Sequence, residues 1–252
     1  MRLTKIFRLL IDRQIGKIKI MVAFLLEKFW FFFFPLIAVK IKKFKFENLE
    51  DLVSFSFNFW WGLIRPMQIK EELIEFLKIL HKMELKRIIE IGTAKGGTIF
   101  LFSKIVSRDA KIISIDLPKG PFGGGYSLLR ILLYKLFIEK DKKIYFLRMN
   151  SHDEKTLKKV EKILNGKKVD LLFIDGDHTY DGVKKDFEMY KKFVKKGRFI
   201  VFHDITSHIF DEKVEVYKFW NEIKNNFETD EISFKSNTGS YGIGIIKYEN
   251  RD

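Results

Sequence analysis

Residues 169–204 read VDLLFIDGDHTYDGVKKDFEMYKKFVKKGRFIVFHD, and the fold follows from how this stretch is divided. The run from Val169 to Ile174 lacks the polar alternation of a half-exposed strand, so it is expected to be a strand buried on both faces. Val183, Phe187, Tyr190 and Val194 then recur at helical spacing, which predicts an amphipathic helix through Val194. RFIVFHD, from Arg198, repeats the buried-strand pattern. A buried strand, a helix and a second buried strand make one unit of a parallel sheet covered on both faces.

Upstream, the pattern repeats. In IKEELIEFLKILHK, Ile69, Leu73, Phe76, Leu77 and Leu80 form one helical stripe, followed by RIIEIG as a strand, GTIFLFSKIVS as a helix and KIISIDL as a strand. KIYFLRM adds a strand, and EKTLKKVEKIL a helix with Leu157, Val160 and Leu164 on one side. After a helix at VYKFWNEIK, the closing EISFKSNTGSYGIGIIKY holds two β-rich stretches around Asn237, Thr238 and Gly239, which predicts an antiparallel hairpin. The expected architecture is α/β: a Rossmann-like, doubly wound, mostly parallel seven-stranded sheet with a C-terminal antiparallel hairpin.

The chain of 252 residues contains no cysteine, which excludes disulfides and thiolate metal sites and leaves oxygen and imidazole as metal donors. Its formal charge is +14, and residues 1–46 hold 11 Lys and Arg against two acids, so +9 of the charge lies in this arm. The arm also carries MVAFLLEKFWFFFFPLIAVKIKKFKF. Glu27, Lys28 and Pro35 interrupt that run, so a spanning helix is not expected, and no small-residue cleavage site follows Val39 to suggest export. A cytoplasmic chain is expected. The arm reads as an interfacial membrane segment, peripheral at the inner face, or as an oligomerisation or core-capping segment. The expected division is a basic aromatic extension over residues 1–60, helical in character, and a catalytic domain over 61–252.

Ligands of doubly wound sheets bind beyond the carboxyl ends of the strands, near the reversal of strand order. The first strand is followed by EIGTAKGGT, where Glu90, Gly92, Gly96 and Gly97 precede a helix. Glycines there admit a ligand to the backbone and to the helix N-terminus. The second strand ends at Asp116, a carboxylate that can accept two ribose hydroxyls. Together these favour an adenosine-type ligand, with Asn150 and Ser151 after the third strand as candidates for the adenine edge. Asn and Ser also cap helices.

EIGTAKGGT, SIDLP, FIDGDHTYDGV and VFHDI, in that order, resemble the class I S-adenosylmethionine-dependent methyltransferases, in particular the divalent-metal-dependent O-methyltransferases and the cephalosporin hydroxylase-like group. The resemblance covers roughly residues 62–248. It implies S-adenosylmethionine held by Gln68, Glu90, Gly92, Gly96, Asp116, Ser151 and Asp175, with Met67 and Gln68 of LIRPMQ near the methyl donor. It also implies a divalent metal, Mg or Mn, on Asp175, His203 and Asp204. His203 stands where relatives carry an oxygen ligand, and imidazole suits Mn, Fe or Zn better than Mg.

A bound cation lowers the pKa of an acceptor hydroxyl and fixes it in line with the sulfonium methyl. His178 is the candidate general base. Asp177 is expected to cap the following helix, Asp181 to face solvent, and His152 and His208 to be loop residues. PKGPFGGGYS reads as a lid or a flexible excursion, and LLRILLYKLF as a core helix or a lid helix. The expected function is O-methylation of a hydroxylated small molecule, a sugar or glycolipid among the candidates, by a chain that can form a homo-oligomer. The alternatives are a nucleic-acid methyltransferase using the basic arm and a non-catalytic membrane-associated binder of S-adenosylmethionine. Nucleic acid is disfavoured because the Asn/Asp-Pro-Pro-aromatic motif of adenine amino-methylases is absent.

Overall fold

In a computed structural model the described residues are 29–120, 124–207, 213–234 and 241–249. Seven strands form one sheet in the order β3-β2-β1-β4-β5-β7-β6. They are β1 (Arg87–Ile91), β2 (Lys111–Asp116), β3 (Lys143–Arg148), β4 (Val169–Ile174), β5 (Val194–His203), β6 (Glu228–Ile232) and β7 (Ile243–Tyr248). The first five run parallel, and β7 lies antiparallel to both β5 and β6. The order reverses between β1 and β4, as the sequence predicts for a doubly wound sheet.

Helices are α1 (Phe34–Lys43), α2 (Leu49–Asn58), α3 (Lys70–His81), α4 (Gly97–Ile105), α5 (Leu128–Lys135), α6 (Glu154–Leu164), α7 (Tyr180–Tyr190) and α8 (Val216–Ile223). Alternate residues of each strand point to opposite faces, and the core divides accordingly. Ile88, Ile112, Leu171 and Phe173 join the helices α1 to α5, while Ile89, Ile113, Leu172 and Ile174 join α6 to α8. No described helix is long and apolar enough to cross a membrane.

Several expectations change. The helix expected through Val194 ends at Tyr190, and Val194 opens β5, because a short 3-10 turn over Lys191–Phe193 redirects the chain. Over residues 30–60 the arm takes the core-capping alternative. Ile37, Ile41, Leu52 and Val53 are fully buried in the same core as Phe100, and Phe55 stacks on Phe100 with ring centroids 5.5 Å apart. α5 packs one face into the core, with Leu133 and Tyr134 buried, while Leu128, Leu129 and Leu132 face outward. The hairpin turn at Asn237–Gly239 and residues 1–28 of the arm lie outside the described residues.

Candidate functional site

The carboxyl ends of β1, β2, β4 and β5 converge where the strand order reverses. Gly92 leaves β1 with φ +88°, and a Cβ there would come within 1.8 Å of the Asp175 carbonyl oxygen. Gly96, at φ +81°, would put a Cβ 2.4 Å from the Tyr134 ring. These glycines are therefore required by the packing of β4 and α5 against the loop, before any ligand is considered. Asp116 holds the same loop. Its Oδ2 accepts the backbone N–H groups of Thr93 and Ala94 at 2.9 and 2.8 Å, and its Oδ1 accepts Leu117 N–H at 2.7 Å. Tyr134 closes the clamp by donating its hydroxyl to Ala94 O at 2.6 Å.

Glu90 lies beneath the loop, fully buried, accepting the hydroxyls of Thr93 at 2.6 Å and of Thr98. Burial pushes its carboxyl up to about 8, against the hydrogen bonds from Thr93 and Thr98. After β3, Asn150 acts as a turn former: its Oδ1 accepts His152 N–H at 2.8 Å. The Ser151 carbonyl accepts the Tyr190 hydroxyl at 2.8 Å.

Across the reversal, two acids and two imidazoles form a cluster. Asp175 Oδ1 lies 3.0 Å from His203 Nδ1 and 3.5 Å from His178 Nε2, and its Oδ2 accepts Gln68 Nε2–H at 2.5 Å. Asp204 Oδ2 lies 3.3 Å from His203 Nδ1 and 3.5 Å from His178 Nδ1. Asp204 itself adopts φ +63°, a left-handed conformation whose cost is characteristic of functional sites. Burial opposes charge on both rings, but the two carboxylates outweigh it. His178 is held above the ordinary histidine range, and His203 well above it. Burial likewise works to raise the Asp175 carboxyl, yet His203 and His178 carry it below the usual carboxylate range.

Asp175, His178 and Asp204 each offer one donor atom, all within 4.8 Å of one another. The set of two carboxylates and an imidazole fits a divalent cation. His178 and His203 both stand beside the two acids, and a single ring suffices as the nitrogen donor. His203 turns Nδ1 to both acids while its Nε2 is buried with no hydrogen-bond partner among the described residues.

An open cleft of about 520 Å³ adjoins the cluster, lined by Arg65, Met67, Gln68, Lys70, Lys95 and Tyr241 among others. Gln68 belongs to both, and its buried Oε1 has no hydrogen-bond partner among the described residues. Nε2 is the atom that must face Asp175, since the amide oxygen would meet a carboxylate there.

Some roles differ from expectation. The N-cap of α7 is Thr179, which accepts Gly182 N–H at 3.1 Å; Asp177 stands one step back and accepts both N–H and hydroxyl of Thr179. Gly182 is needed because a Cβ there would collide with Asp177 at 2.1 Å. His152 is no free loop residue: its Nε2 lies 3.2 Å from the fully buried Asp186 carboxylate. Glu72, also buried, accepts the N–H groups of Phe234 and Gly242, both at 3.1 Å, beside Tyr241 of the cleft. Nothing in the local sequence marks Glu72 or Asp186, which read as ordinary helix acids. Asp181 is exposed, as expected, and His208 lies outside the described residues. The PKGPFGGGYS loop is closed at its base by Tyr126 N–H to Leu117 O at 3.1 Å, with Tyr126 buried.

Residues 89–205 match a methyltransferase domain family. An uncharacterised protein of Acanthamoeba polyphaga mimivirus is 32% identical over 150 residues, which are 60% of this chain and 65% of that protein, so the match spans just under two thirds of this relative's length. Among solved structures, an O-methyltransferase from Bacillus cereus in complex with SAH superposes with TM-score 0.51 at 16% identity, covering 82% of this chain and 93% of that one. The O-methyltransferase of Streptomyces achromogenes involved in tomaymycin synthesis, in complex with SAM, gives TM-score 0.50 at 14% identity, over 82% and 92% of the two chains. At these identities the solved structures establish the shared fold.

Proposed function

We propose, on the premise of a methyltransferase domain across residues 89–205, that the protein transfers the methyl group of S-adenosylmethionine to a hydroxyl of a small-molecule acceptor with the help of a divalent cation. The observation that carries this reading is Gln68. It belongs to the cleft wall and is bonded to Asp175 of the acid–imidazole cluster, so an acceptor in the cleft lies beside the groups that would act on it.

The methyl donor sits over the loop of residues 92–96, its ribose on Asp116. That carboxylate has two jobs, since it also holds the N–H groups of Thr93 and Ala94. Asp175 and Asp204 would hold the cation with His203 Nδ1 as nitrogen donor, and a bound cation supplies a lowered hydroxyl pKa. His178 takes the proton, because it is the imidazole with access to solvent: its side chain is 18% exposed against 4% for His203. The sulfonium is already activated, so holding the hydroxyl in line does most of the remaining work.

Calorimetry tests the reading in two steps. S-adenosylmethionine binds the wild type, and Asp116→Ala weakens it at least about tenfold, the loss of one charge-assisted hydrogen bond and the loop it holds; no binding to the wild type refutes the assignment. His178→Gln then retains the affinity for Mn²⁺ while methyl transfer to a hydroxylated acceptor falls about 10²- to 10⁴-fold. Loss of metal affinity in that variant instead moves His178 into the ligand set.

A further inference from the structure

Twelve large apolar side chains are exposed among the described residues, and eleven of them fall in three short segments, 29–39, 61–67 and 128–132. The segments meet in space. Phe33 packs on Trp60 with ring centroids 5.5 Å apart, Trp60 packs on Trp61 at 5.3 Å, and Arg130 of α5 donates to the Leu63 carbonyl at 2.5 Å. The most exposed members are Phe32 at 69%, Leu128 at 67% and Met67 at 59%, and Met67 also lines the cleft. Scattered exposed apolar residues are ordinary, but a concentrated patch marks an interaction surface.

The turn between α2 and α3 reinforces the point. Trp60, Trp61 and Gly62 take φ of +44°, +55° and +85° in succession, a conformation that L residues with large side chains adopt only at a cost. It leaves Trp61 53% exposed. On α5, Leu133 and Tyr134 already satisfy the inner face, so Leu128, Leu129 and Leu132 form a second, exposed apolar face that none of the described residues covers.

We infer that the face made by α1, the Trp60–Gly62 turn and α5 docks on an anionic lipid bilayer and presents the cleft to an acceptor carried by a lipid. Charge selects this occupant over a second copy of the chain. Lys40 lies over the Trp60 ring at 5.5 Å, and Lys42, Lys43 and Lys45 follow it along the chain, all exposed. A two-fold contact on this face would bring two such lysine clusters to one interface, whereas anionic headgroups complement them. Phe and Trp beside Lys are the residues that settle at the boundary of headgroup and acyl chain. That the acceptor is lipid-borne rests on the methyltransferase reading above; the docking itself does not.

The test is co-flotation of the full chain with vesicles of phosphatidylcholine alone or mixed with phosphatidylserine. Binding to the phosphatidylserine vesicles, falling with added salt, is expected, and Leu128→Gln with Leu132→Gln should reduce it about tenfold or more without lowering the Tm. The double variant lies on α5, far in sequence from residues 1–28, so wild-type binding by it overturns the proposal and gives the membrane contact to the arm alone. Failure of the wild type to float with either vesicle also overturns it. If the wild type sediments as a dimer that the double variant dissociates, the face belongs to a second copy. S-adenosylmethionine affinity measured on the same protein reads the methyltransferase assignment independently of docking.

Discussion

Glu90, the penultimate residue of β1, is a carboxyl with no access to water, and its environment sets a pH dependence that the cofactor role read from its sequence position does not anticipate. Its folded-state pKa is pushed up to about 8 from an ordinary 4.5. Below the unfolded value both states carry the proton, so nothing is lost. As pH rises, the unfolded chain gives up the proton while the fold must keep it, and stability declines until pH passes about 8. Glu90→Gln removes the charge and keeps one acceptor oxygen for the two hydroxyls, while its amide N–H group meets the other as a donor. The difference in Tm between variant and wild type should therefore grow in favour of the variant from about pH 5 to about pH 8 and then level off; a constant difference would place the titrating group elsewhere. Of the site residues, Asp175, His178, His203 and Asp204 were legible, because two acid–imidazole motifs at the ends of adjacent strands meet by topology alone. The role of Asp116 as holder of the Thr93 and Ala94 amides was not, since a carboxylate's backbone partners depend on the path of a loop from another strand. The same holds for Asp186, whose partner His152 is 34 residues away in sequence.

At the scale of elements, the loop of residues 92–96 is clamped from three sides by β4, α5 and Asp116, and each clamp has its own prediction. Gly92→Ala forces a Cβ to within 1.8 Å of the Asp175 carbonyl at φ +88°, so it must separate the ends of β1 and β4. A loss of several kcal/mol is expected in urea denaturation, at the large end for one substitution; a loss under about 1 kcal/mol would mean that this junction yields easily. Tyr134→Phe removes only the hydroxyl bonded to Ala94 O and should cost about 1 kcal/mol while weakening S-adenosylmethionine binding through a looser loop. The strands were legible because burial on both faces leaves unbroken apolar runs. The C-terminal limit of α7 was not, because Val194 continues the 3.6-residue spacing while already pairing with Val169 in the sheet. Periodicity registers the burial of Val194 without distinguishing which element buries it.

For the whole molecule, the question is where the folded unit begins, and composition misleads here. The change from a basic aromatic arm to regular α/β patterning suggests a start near residue 61. Packing gives an earlier one: Ile37 and Ile41 of α1 and Leu52 and Val53 of α2 are all fully buried, and Phe44 and Phe55 lie against Phe100 of α4. Arm and domain share one apolar core, so lysine content marks what faces outward from α1 and says nothing about its inner side. Removing residues 1–60 would uncover Phe100 and delete four buried aliphatic side chains. Each such loss costs roughly 2–5 kcal/mol when made singly, so together they are comparable to the roughly 5–15 kcal/mol that holds an ordinary domain. A chain starting at residue 61 should therefore be insoluble or bind a hydrophobic dye without a cooperative melt, while one starting at residue 29 should melt cooperatively within a few degrees of the full chain. If the shorter chain melts like the longer one, α1 and α2 are an ornament on a domain complete without them.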